Sequence, residues 1–88
     1  MKTIFKKQFL KDSEKLPLDK TRKSLVDAII NIEEAASVKD IEGIKKMSGY
    51  KFAYRIKMGD YRIGIFIEND TVELARVKHR KDIYKLFP

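Results

Sequence analysis

Eighty-eight residues hold one domain with a modest core and leave no room for a second. Twenty Lys and Arg against 13 Asp and Glu give a formal charge of +7, spread along the chain as 11 basic against 8 acidic residues up to Tyr50 and 9 against 5 after it, which suits a polyanionic partner. The lack of cysteine excludes disulfides, thiolate nucleophiles and zinc–thiolate sites, and without a signal-like or membrane-length apolar run the chain is expected to be soluble and cytoplasmic.

Residues 2–9 open in β fashion, with Ile4 and Phe5 among lysines, in a stretch too short and too charged for a central strand. An edge strand is expected there. Helix formers from Gln8 to Leu16, with Phe9, Leu10 and Leu16 apolar, give a short helix that Pro17 closes. Asp19 then serves as N-cap of the strongest helix, on which Leu18, Arg22, Leu25, Ile29, Ile32 and Ala36 recur at spacings of three and four. Val26, Ala28 and Ala35 widen its apolar stripe, so this helix packs on one side. Residues 37–50, punctuated by Gly43 and Gly49, read as a linker with one turn that tucks Ile44 and Met47 inward.

After Gly49 the period changes to two. Phe52, Tyr54, Ile56 and Met58 alternate with Lys51, Ala53, Arg55 and Lys57, as in a half-buried strand. Gly59-Asp60 makes a two-residue turn with glycine first, and residues 61–68 return as a second strand. Asn69-Asp70 turns the chain again into a third strand over 71–78, and residues 79–87 give a last short helix. The fold class is α+β: an N-terminal edge strand, two helices packed on an antiparallel sheet that ends in a three-stranded meander, and a short C-terminal helix, all in one domain over 1–88.

A two-residue turn fixes the hairpin register, pairing Met58 with Tyr61, Lys57 with Arg62, Ile56 with Ile63, Arg55 with Gly64 and Tyr54 with Ile65. One face then carries Tyr54, Ile56, Met58, Tyr61, Ile63 and Ile65, and the other carries Arg55, Lys57 and Arg62 around Gly64. Adjacent like charges destabilise a sheet unless an anion compensates them, and Gly64 leaves space for close approach. A solvated face carrying Lys and Arg for solubility is the structural alternative. Counting past Asn69-Asp70 pairs Ile67 with Val72, Ile65 with Leu74 and Ile63 with Arg76. That register sends Arg76 to the core side unless a bulge re-aims it, and leaves the face of His79 and Arg80 open.

Ile44-Lys-Lys-Met47 with Gly49, Tyr54-Arg-Ile-Lys57, Gly59-Asp-Tyr-Arg62 and Val77-Lys-His-Arg80-Lys-Asp-Ile-Tyr84 together resemble the RelE/ParE toxin superfamily, in element order and over the whole chain. The resemblance implies the RelE-like microbial ribonuclease fold and a toxin of a toxin–antitoxin operon that cleaves mRNA at the ribosomal A site. It implies neither metal nor cofactor, a cognate antitoxin, mRNA and the ribosome as partners, and no membrane. By position it assigns Lys57 to the 2′-OH proton, Arg62 to the phosphate and Arg80 to the leaving 5′-oxygen, with His79 as a neighbour that shares this task. Tyr84 contacts or stacks on the RNA, and Arg55 and Lys51 extend the anion-binding surface. The alternatives are a ParE-like toxin directed at DNA gyrase and an inactive module that only holds its antitoxin.

The chemistry such a cluster supplies is alignment of the 2′-oxygen with the scissile phosphate, stabilisation of phosphorane charge and proton management. Arg62 offers a planar donor fork for phosphate, and Lys57 serves either as a base depressed by its cationic neighbours or as a protonated charge stabiliser. The single histidine builds no metal constellation, and Ser13, Ser24, Ser37 and Ser48 lie in no nucleophile context. Tyr84 has a structural alternative as a helix anchor beside Leu86 and Phe87.

Overall fold

The two turn dipeptides do what their residue types dictate. Gly59 takes φ +59, the left-handed conformation a first-position turn glycine supplies, and Asn69 and Asp70 take φ 51 and 61, both in the region such side chains tolerate. Around them a computed structural model describing residues 1–88 gives β1 (Lys2–Phe5), α1 (Lys7–Glu14), α2 (Lys20–Glu34), β2 (Ile44–Lys46), β3 (Ala53–Met58), β4 (Tyr61–Glu68), β5 (Thr71–His79) and α3 (Ile83–Leu86). The five strands form one sheet in the order β1-β5-β4-β3-β2, antiparallel except for β1, which lies parallel to β5. The architecture is the expected α+β one, with a mixed sheet in place of a purely antiparallel one.

Three elements depart from the sequence reading. The supposed linker contains β2, a three-residue edge strand that pairs Ile44 with Ile56 and Lys46 with Tyr54. Its brevity and two lysines hide the period of two, and such short charged strands are how sheets blunt an edge. The apolar stripe of α2 is narrower than its spacing suggests: Asp19 caps it by accepting from the Thr21 amide, and Leu25 and Ile32 are buried, but Leu18 and Val26 are 86% and 53% exposed and Ala36 is exposed. The final helix is a single turn, because β5 runs on through His79 before the chain reverses.

The helices cover one sheet face, where Phe9, Leu25 and Ile32 close over Ile56, Ile63, Ile65, Val72, Leu74 and Val77. On the opposite face the C-terminal segment folds back over the sheet. Ile83 and Phe87 pack there with Ala53 and Ala75, flanked by Met47 and Phe66. The ring of Phe87 occupies the place a side chain on Gly64 would need, since a Cβ there would lie 2.6 Å from ring carbons. Gly64 is therefore small for packing against Phe87 and offers no slot for a ligand. Gly64→Ala is expected to cost about 1–3 kcal/mol in urea unfolding through overpacking, and less in a Phe87→Ala background where that ring is gone.

Candidate anion-binding site

The β3–β4 register is the one the turn predicts, with Lys57 opposite Arg62 and Arg55 opposite Gly64. The next strand breaks the simple count. A bulge between Gly64 and Ile65 inserts Ala75 into β5, so that Leu74 still pairs with Ile65 but Arg76 pairs with Gly64, Val77 with Ile63 and Lys78 with Arg62. Arg76 is thereby turned away from the helix-packed core, and Val77 takes the buried position. The interval of three between apolar Leu74 and Val77, where a regular strand gives two or four, is the sequence signal of this insertion.

Cations now stand in two rows across the sheet. One row is Lys57, Arg62 and Lys78 on three adjacent strands; the other is Lys45, Arg55 and Arg76, with Gly64 between the two arginines. Adjacent strands lie about 4.8 Å apart, so facing side chains of the first row can act on one anionic group, whereas Phe87, packed on Gly64, divides the second. Lys45 and Lys78 are not among the candidates the sequence singles out, and Arg76, expected on the core side unless a bulge re-aimed it, is brought to this face by the bulge at Ala75.

The other candidates divide. The Arg62 Nη1 donates to the carbonyls of Gly59 and Tyr61, each at 2.8 Å, which holds the guanidinium at the turn with its other nitrogens uncommitted to protein acceptors. Arg80 reaches the same turn: its amide donates to the Asp60 carbonyl at 2.7 Å and its Nε lies 3.9 Å from Asp60 Oδ1. Tyr84 is 56% exposed on α3, so Ile83 and Phe87 anchor that helix and the phenol is left to solvent. His79 pairs with Tyr61, packs edge-on against its ring at 5.4 Å and accepts the Lys81 amide at Nδ1. It therefore lies on the helix side of the sheet rim, apart from the cation rows. Lys51 precedes β3 at its far end, six residues and roughly 20 Å of strand from Lys57, with its ammonium over the Phe52 ring.

One buried carboxylate pairs with cations of these rows. Asp12 of α1 is buried at the edge of β5 beyond the point where β1 stops pairing. Its Oδ2 accepts from Arg76 Nε at 2.7 Å and from the Val77 amide at 3.2 Å, and its Oδ1 accepts from Gln8 and Arg76 Nη2 and lies 3.6 Å from Lys78 Nζ. Burial pushes the Asp12 carboxyl up, but the hydrogen bonds from Arg76, Gln8 and Val77 outweigh it and hold the group below the usual carboxylate range. No three His, Asp or Glu side chains converge as a metal site, and no helix is long and apolar enough to cross a membrane.

Comparison with known proteins agrees with this architecture. The profile of the ParE toxin of type II toxin–antitoxin systems matches residues 3–84. The toxin RelE3 of Methanocaldococcus jannaschii is 43% identical over 89 residues spanning both chains. The RelB–RelE antitoxin–toxin complex of Methanococcus jannaschii contains a chain that superposes with a TM-score of 0.80 at 41% identity, over 97% of this chain and 99% of that one. The intact Escherichia coli RelBE toxin–antitoxin complex shares the fold at a TM-score of 0.70 and 21% identity, over 89% and 94% of the two chains. On the strength of the profile and of the archaeal relative together, the chain belongs to the RelE/ParE superfamily of toxins of type II toxin–antitoxin systems.

Proposed function

We propose that this toxin is an endoribonuclease that cleaves ribosome-bound mRNA without a metal. The observation that carries the reading is the direct pairing of Lys57 with Arg62, with Arg80 tethered through Asp60 to the turn that joins their strands. In this reading the RNA lies across the turn end of the cation face. Its 2′-oxygen attacks the adjacent phosphorus, the bond to the 5′-oxygen breaks, and the products are a 2′,3′-cyclic phosphate and a 5′-hydroxyl. Lys57 manages the proton leaving the 2′-oxygen, Arg62 holds the phosphate and its growing charge, and Arg80 stabilises the departing 5′-oxygen, which takes its proton from solvent. Tyr84 receives a base, Arg55 extends the anion site, and Lys51 and His79, off the cation rows, contribute at most at its margins. The fold alone would not choose this chemistry; the placement of these cations is what supports it.

Purified protein added to translating ribosomes with EDTA just sufficient to remove trace transition metals should generate new mRNA ends bearing 5′-hydroxyl groups. Unchanged mRNA would overturn the reading. The profile match to ParE favours one competitor, a toxin directed at DNA gyrase, and accumulation of gyrase–DNA cleavage complexes in place of cut mRNA would establish it. An acidic antitoxin segment that folds over the positive surface is the partner expected to silence the site, as the solved RelB–RelE relative is an antitoxin–toxin complex.

A further inference from the structure

The bulge at Ala75 has an effect on the cation face beyond re-aiming one arginine. Had β5 kept strict alternation from Leu74, Arg76 and Lys78 would both point into the helix-packed core, where unpaired cations are not tolerated. The inserted residue moves both to the other face and sets Lys78 beside Arg62, completing a row of three cations on three adjacent strands. The two relocated side chains are not equivalent. Arg76, 18% exposed, gives Nε and Nη2 to Asp12 at 2.7 and 3.3 Å and stands opposite Gly64, where Phe87 packs. Its charge is consumed within the protein. Lys78, 27% exposed, lies 3.6 Å from Oδ1 of the same carboxylate, an ion-pair distance that leaves its three N–H donors without a protein hydrogen bond.

Taking the ribonuclease reading as its frame, we propose that Lys78 binds substrate phosphate beside Arg62 and that Asp12, reaching from α1 round the edge of β5, is the residue that positions it. Asp12 suits the task because it is buried and itself fixed by four hydrogen bonds, from Gln8, from Arg76 twice and from the Val77 amide, so the ammonium it attracts has a defined place. A flexible lysine without such an anchor samples many rotamers, few of which meet the charge that grows on the phosphate during cleavage, so the loss falls on the chemical step.

Two measurements on the full chain test this. Binding of a 2′-O-methyl oligoribonucleotide, which cannot cleave itself, is followed against salt concentration, and cleavage of ribosome-bound mRNA is followed in single turnover. Lys78→Ala should weaken oligonucleotide binding about fivefold at low salt and flatten the slope of log affinity against log salt by about 0.7, the value for one phosphate contact on a single strand, with Lys78→Arg recovering most of both. Asp12→Asn should split the two readouts: binding equal to or tighter than wild type, because a negative charge is gone, and cleavage about tenfold slower, because the ammonium is no longer held. A purely structural Asp12 would lower binding and cleavage by the same factor at a temperature where the variant is still folded, and that result overturns its positioning role. An unchanged salt slope in Lys78→Ala overturns the phosphate contact, whether or not the wild type cleaves. A wild type that binds through Lys78 but cuts no mRNA supports the contact and removes the ribonuclease reading alone.

Discussion

On the proposed ribonuclease reading, Lys57→Ala and Arg62→Ala are each expected to slow mRNA cleavage by a factor of about 10²–10³ while leaving the fold intact. Removal of a single preorganised group that stabilises transition-state charge costs about that much in other enzymes, and loss of a positioned proton-transfer group falls in the range of about 10²–10⁴. Lys57 is exposed and Arg62 half-buried, and neither pairs with a carboxylate. Their removal therefore breaks no ion pair, and loss of Lys57 relieves repulsion between directly opposed cations. Urea unfolding of Lys57→Ala should match or slightly exceed wild type. Arg62→Ala should lose about 1 kcal/mol, because its guanidinium satisfies the Gly59 and Tyr61 carbonyls. A Lys57→Ala protein as stable as wild type yet inactive is what a site held together for its substrate predicts, since the opposed cations repel in the free fold. End-mapping of mRNA from ribosomes treated with each variant, together with growth after induction, measures the effect. Cleavage within threefold of wild type in both variants would remove Lys57 and Arg62 from the chemistry.

How far the sequence reached is visible strand by strand. Gly59-Asp60 and Asn69-Asp70 specify two-residue turns, and a two-residue turn fixes which residues face each other, so the pairing of Lys57 with Arg62 follows from local chemistry. The β4–β5 register follows equally well as far as Ile65 and Leu74 and shifts at Ala75, marked in the sequence only by the three-residue interval to Val77, while the partners of Ala75, Ile83 and Phe87, lie beyond the strand. Gly64 was legible as a place of close approach but not as to what approaches, because Phe87 lies 23 positions further along the chain. β2 was hidden by its length, since three residues with two lysines carry no measurable alternation. Asp12 stood in a charged, helical stretch like any solvated acid. Its burial depends on β1 ending at Phe5, which lets α1 run along the exposed edge of β5.

That same geometry makes Asp12 the most consequential side chain for stability. Asp12→Ala leaves the Val77 amide without its acceptor and strips Arg76 of its only carboxylate in a site where the guanidinium is largely buried. Breaking one half of a buried ion pair costs about 3–5 kcal/mol, against a total of roughly 4–13 kcal/mol for a chain of this size. The melting temperature should fall by at least about 12 °C, and Arg76→Ala combined with Asp12→Ala should cost less than the sum of the two, because the second change removes the charge that the first left unpaired. The pH dependence has a definite sign. Folding holds the Asp12 carboxyl below its ordinary value of 3.8, so on acidification the unfolded chain takes up this proton first. The contribution is complete above the ordinary value and is lost as the pH falls from there through the depressed one. Wild type should therefore lose stability over this acidic interval more steeply than Asp12→Asn, which has no carboxyl to protonate at that site. Parallel curves for the two proteins would mean that the carboxylate's hydrogen bonds to Arg76 and Val77 contribute no net stability.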